Sequence, residues 1–125
     1  MKFIIMVKLA RREEQIMQVF WDIKKGYIRD IIPSLPDPKP HYNSVATIVK
    51  ILEEKGFLDH ETMGNMHHYF PVISREDYQK FALKDIVSQY FDNSYPRMLA
   101  YFAKEQKLTE KQLSEILTII KKDSK

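Results

Sequence analysis

The chain has 125 residues, enough for one compact domain or a small domain with an appendage. Its 44% hydrophobic and 30% charged residues are ordinary for a soluble globular protein, and the absence of cysteine excludes a disulfide framework and a thiolate metal site, in keeping with a reducing, cytoplasmic setting. The formal net charge of +3 is spread evenly, with ten basic and nine acidic residues in 1–72 and ten and eight in 73–125, so a case for nucleic acid must rest on where the charges sit.

Phe3-Ile4-Ile5-Met6-Val7 is too short to span a membrane and lacks the small-residue cleavage site of a signal peptide. Residues 1–8 read as a strand or an extension, and Met6 offers a second start. Glu13 to Lys24 predicts an amphipathic helix with Ile16, Val19, Phe20 and Ile23 on its apolar side, closed at Gly26. A second helix is expected from Ile28 to Leu35, burying Ile28, Ile31, Ile32 and Leu35. It stops before Pro36-Asp37-Pro38-Lys39-Pro40.

The third helix, Tyr42 to Glu54, places Val45, Ile48, Val49 and Leu52 in one apolar stripe and Asn43, Thr47, Lys50 and Glu54 on the opposite face. Gly56 ends it. Phe57–Thr62 and Met66–Val72 then read as strands around a Gly64-Asn65 turn. Three short helices followed by a two-stranded wing make the winged helix-turn-helix order. The expected fold class is mainly α with a small β-hairpin: a DNA-binding domain over 1–73, then a helical dimerisation region over 74–125. In that region Ser74, with Asp77, caps a helix running to Phe91. Asp92-Asn93-Ser94-Tyr95-Pro96 breaks it, and Thr109 with Gln112 is a capping box for the last helix. The apolar positions Ile86, Tyr90, Met98, Leu99, Phe102, Leu113, Ile116, Leu117 and Ile120 exceed what so short a tail can cover, which points to a homodimer.

In a helix-turn-helix protein the N-terminal part of the third helix enters the major groove. Asn43 can pair with adenine, and Thr47 can offer a hydroxyl or touch a thymine methyl, with Ser44 beside them. Tyr42, Lys50 and His67 suit the phosphate backbone, with His41 at the helix entry and Asn65 on the wing. His67 and His68 alternate on a strand and so point to opposite faces, and no HxxxH or HExxH spacing exists; no metal site and no cofactor are expected. With three glycines there is no phosphate loop. Glu13-Glu14 and Glu53-Glu54 read as solvated helix faces, and Trp21 with Tyr69-Phe70 as core, so no catalytic residue and no small-molecule substrate are expected.

Ile16-Met17-Gln18-Val19-Phe20-Trp21, Tyr42 to Val49 and Leu52 to Phe57 resemble the penicillinase-repressor family of winged-helix transcriptional repressors, and the similarity extends over about 9–122. The resemblance implies a homodimer on a dyad-symmetric operator. It also implies a membrane sensor with a cytosolic zinc protease domain that relieves repression by cutting the dimerisation region, here between Tyr101 and Phe102. The copper-responsive branch binds metal through C-terminal cysteines, which this chain lacks. Four positions depart from the family: Ala10 replaces a Ser or Thr cap, Asn65 and His68 replace Lys and Arg on the wing, and Tyr101 replaces Asn. The alternative from another class is a winged-helix protein-interaction adaptor that never touches DNA; retention on heparin or random DNA at low salt separates the two.

Overall fold

The computed structural model describes residues 6–123. Its elements are α1 (Arg11–Ile23), α2 (Ile28–Ile31), a 3₁₀ turn (Ile32–Ser34), α3 (Tyr42–Glu54), β1 (Leu58–Met63), β2 (Met66–Pro71), α4 (Arg75–Tyr90), α5 (Tyr95–Glu105) and α6 (Glu110–Asp123). The order is that of a winged helix followed by C-terminal helices, the expected fold class. Residues 1–5 of the expected extension lie outside the described residues, and Met6–Lys8 belong to no helix or strand. The chain divides into two compact units, one running through Ala82 and the other starting at Leu83.

The first unit is built on Ile16, Met17, Phe20, Ile31, Val45, Val49, Leu52 and Phe57, all fully buried. Its edge is sealed by Tyr78, Phe81 and Ala82 of α4, so this unit reaches beyond the 1–73 expected for the winged-helix domain. The Tyr78 hydroxyl accepts the Leu9 N–H at 2.9 Å and donates to Glu14 at 2.8 Å, while the Trp21 indole donates to the Ile73 carbonyl at 2.9 Å. Ala10 cannot cap α1, but Glu13, only 7% exposed, supplies the reciprocal half of a capping box by accepting the Ala10 N–H at 2.7 Å. The same carboxylate holds the Lys55 ammonium at 2.7 Å and so ties the start of α1 to the end of α3.

Several boundaries differ from the sequence expectation. Lys24 ends α1 with φ at 77°, donating its N–H to the Phe20 carbonyl, and Ile23 is left exposed. Gly26 instead pairs both of its backbone groups with Tyr69, at 2.9 and 2.8 Å, laying a short third segment along the wing. A Cβ there would come within 2.6 Å of the Ile23 Cδ1, the movable end of an exposed side chain, so a larger residue would require Ile23 to shift. The expected helix from Ile28 to Leu35 breaks at Pro33, whose missing N–H leaves only a 3₁₀ turn after Ile31; Ile28, Ile31 and Leu35 are buried, and Ile32 half-buried. α3 keeps its expected bounds. It ends in a Schellman motif, with the Gly56 N–H on Glu53, the Phe57 N–H on Leu52, and the Leu52 and Phe57 side chains both buried. The first strand is displaced by one residue and the second, starting at Met66 as expected, ends at Pro71; Met63 pairs with Met66 around the expected Gly64-Asn65 turn, where Gly64 alone has a positive φ, 64°.

In the second unit Val87 and Met98 are the buried hydrophobic side chains among the described residues. Asp92 and Asn93, at φ 52° and 62°, turn the chain, and the Ser94 hydroxyl accepts the Arg97 N–H at 3.2 Å to start α5. Thr109 and Gln112 exchange the two bonds of a capping box, at 2.9 and 3.1 Å, before α6. Leu99, Tyr101, Phe102, Leu113, Leu117 and Ile119 remain exposed.

Candidate nucleic-acid interface

The apolar stripe of α3 decides which residues face outward. Val45, Val49 and Leu52 are fully buried and Ile48 is half-buried, so His41, Tyr42, Asn43, Ser44, Thr47 and Lys50 are all exposed on the other side. The Thr47 hydroxyl donates to the Asn43 carbonyl at 3.0 Å, which satisfies its hydrogen and leaves the oxygen free to accept. Lys50 has no ion-pair partner among the described residues. Tyr42, 50% exposed, forms one wall of a cleft of about 230 Å³ whose other walls include Tyr27 and the wing residues Asn65, Met66 and His67. The helix entry and the wing thus border one concave surface.

The wing is less free than the sequence suggests. His67 is exposed, but its ring stacks on His60 at 3.9 Å and 4°, and its Nδ1 lies 3.4 Å from the Tyr69 hydroxyl. His60 in turn is hydrogen-bonded through Nδ1 to the Glu53 carboxylate of α3. Burial first, then the charge of Glu53, pushes the Tyr69 phenol above its ordinary pKa. This chain of contacts braces the hairpin against α3. Sequence reading missed His60 and Glu53, although the hairpin register sets His60 opposite Tyr69 and therefore diagonal to His67. His68 points to the other face as expected, against the Tyr27 ring at 4.7 Å. Lys25, the cation beside the hairpin, is engaged with Glu61 at 3.7 Å.

Glu53, Asp59 and His60 each bring a donor atom within 4.8 Å of the others. Asp59 is exposed, and its carboxylate accepts its neighbour's backbone N–H at 2.8 Å, so the group is accounted for as a histidine–carboxylate brace. Of the residues expected to dimerise, Ile86, Tyr90, Leu99, Phe102, Leu113 and Leu117 are exposed, Ile116 is half-buried and Met98 is buried within its own chain. The Ile120 side chain lies outside the described residues. No described helix is long and apolar enough to cross a membrane.

Residues 9–122 match the family model described as penicillinase repressor. The chain belongs to the penicillinase repressor family. Its relatives include the methicillin resistance regulatory protein MecI of Staphylococcus aureus (strain N315), 18% identical over 116 residues that cover 92% of this chain and 94% of that protein. The MecI protein of Mammaliicoccus sciuri is 19% identical over 118 residues, covering 92% and 94%. The penicillinase repressor of Bacillus licheniformis is 21% identical over 118 residues, covering 90% and 89%. As a member of the family the chain is a transcriptional repressor, and the names of these relatives are regulatory rather than enzymatic.

Proposed function

We propose that the chain represses transcription in the cytoplasm as a homodimer bound to a dyad-symmetric operator. The observation that carries the reading is the outward face of α3, where Asn43, Ser44, Thr47 and Lys50 are exposed beside a braced wing. Asn43, Ser44 and Thr47 contact base edges or groove walls. Tyr42, Lys50 and His67 lie against phosphates, with His41 and Asn65 at the margins. The half-site affinity is modest because Lys50 is the one basic side chain on this face, so two linked half-sites are needed for firm binding. The exposed Leu99, Phe102, Leu113 and Leu117 supply the linkage by packing against a second copy.

Repression ends when a membrane sensor's cytosolic zinc protease domain cuts between Tyr101 and Phe102. Both side chains are about half exposed, at 54% and 50%, but the bond lies inside α5 and must open locally first. The near balance of ten basic and nine acidic residues in 1–72 favours a second reading, a protein-interaction adaptor. Retention of the full-length protein on heparin and on random duplex DNA at low salt tests the choice. A DNA-binding repressor is retained and elutes as salt rises; passage through both columns at low salt supports the adaptor.

A further inference from the structure

The hairpin register sorts the wing residues onto two faces. His60, His67 and Tyr69 share one, where the two imidazoles stack. Glu61, Met63, Met66 and His68 share the other, with Met63 directly across from Met66 and His68 across from Glu61. Met63 is 50% exposed, whereas Met17 and Met98 are buried. Met66 and His68 are half-buried. The chain has no cysteine, so its sulfur ligands are thioethers alone. Histidine spacing argues against a site of paired imidazoles and says nothing about thioethers.

We propose that Met63, Met66 and His68 form a site for a soft monovalent cation, Cu(I), with Ag(I) as its redox-inert stand-in. Thioether sulfur is soft and polarisable and selects Cu(I) over harder divalent ions, and imidazole nitrogen also suits copper. Directly opposed residues of an antiparallel pair have Cβ atoms about 4.5–5.5 Å apart, and each methionine turns about three bonds, so both sulfurs can close on one ion. Gly64, at φ 64°, permits the tight turn that sets the two methionines opposite each other. His68 stands two positions beyond Met66 on the same face, about 7 Å along the strand, and can bring a ring nitrogen as third ligand. Its ring rests against Tyr27 at 4.7 Å between centroids, which limits the freedom it would lose on binding. His67 is held on the opposite face by its stack on His60 and takes no part. The site stands apart from the operator-binding role, because all three ligands belong to the hairpin and none needs DNA in place.

The test uses the full-length chain, carbon-13-labelled at the methionine methyl groups and titrated with silver nitrate in chloride-free buffer. The Met63 and Met66 methyl signals should shift together and saturate at one equivalent, the His68 ring signals should move with them, and buried Met17 and Met98 should stay in place. Zn(II), which takes thiolate, imidazole or carboxylate ligands, should leave every methionine methyl unmoved. Met63→Leu and Met66→Leu keep the apolar bulk and should each weaken Ag(I) binding by about 10-fold or more. The same loss should appear for Cu(I) under reductant, read by competition with a colorimetric chelator. His68→Ala should weaken binding as well, and His67→Ala should leave it unchanged. Methionine methyl signals that do not move at several equivalents of Ag(I) overturn the proposal. So does an Ag(I) affinity that survives the double Met63→Leu and Met66→Leu change, or an equal loss in His67→Ala and His68→Ala.

Discussion

Removing one oxygen from Tyr78 should weaken the N-terminal unit measurably and in a pH-dependent way. Tyr78 is 5% exposed, and its hydroxyl is the acceptor for the buried Leu9 N–H as well as the donor to Glu14. Tyr78→Phe keeps the ring and its contacts with Trp21 and Phe57, at 5.9 and 5.6 Å between centroids. What is lost is the partner of a buried N–H, about 1–3 kcal/mol; Glu14 turns to water and adds little. For a unit of this size that corresponds to a fall of roughly 5–20 °C in Tm. The pH dependence has a definite sign. Burial first, with the hydrogen bond and charge of Glu14 and the charge of Glu13 adding to it against the Leu9 N–H, pushes the phenol up to about 12. An unfolded tyrosine titrates near about 10, so the folded state favours the neutral form. The stabilisation is fully present below pH 10 and is lost as pH rises through about 12. Urea titrations followed by the fluorescence of Trp21, the single tryptophan, should show a constant gap between wild type and Tyr78→Phe up to pH 10 and a narrowing gap above it. Equal stabilities at pH 7, or a gap that widens from pH 10 to 12, would refute the reasoning.

On the DNA face, Asn43→Ala or Thr47→Ala should relax discrimination at particular base pairs by about 1–3 kcal/mol, whereas Lys50→Ala, which removes one cation from each half-site, should weaken all sequences alike and flatten the salt slope by about two units. Competition binding against single-pair operator variants separates the two effects. Leu99→Glu with Leu117→Glu, both at positions more than half exposed, should turn the dimer into a folded monomer with much weaker operator binding, read by sedimentation and circular dichroism. Co-expression with the cognate sensor protease under inducing conditions should yield fragments ending at Tyr101 and starting at Phe102 by intact-mass analysis; induction with only full-length chain present rejects the proteolytic route.

The elements legible in the sequence were those with a local chemical signature. Ser74, Thr109 and Gln112 cap the helices they were expected to cap, because a hydroxyl or amide reaching a backbone group needs no tertiary context. The α3 stripe was legible because its period is helical and its burial complete. What escaped depends on contacts distant in sequence. Lys24, not glycine, takes the left-handed position because Gly26 is drawn into pairing with Tyr69, over forty residues away. Pro33 splits the second helix, a local signal outweighed by the isoleucine spacing around it. The brace from Glu53 through His60 to His67 crosses from a helix to both strands and becomes visible only once the hairpin register is known. Met98 reads as one apolar position among several, and only the packed unit distinguishes it, buried, from the exposed Leu99 next to it.

The most direct measurement is the affinity of the full-length chain for a duplex selected from a random pool, taken across a salt series. The repressor account predicts that the selected sequence is dyad-symmetric, that two chains bind it, and that the log–log slope of affinity against salt lies at roughly −2, as expected for one Lys50–phosphate contact in each half-site. A pool that yields no enriched sequence, or an affinity that does not change between low and physiological salt, contradicts it.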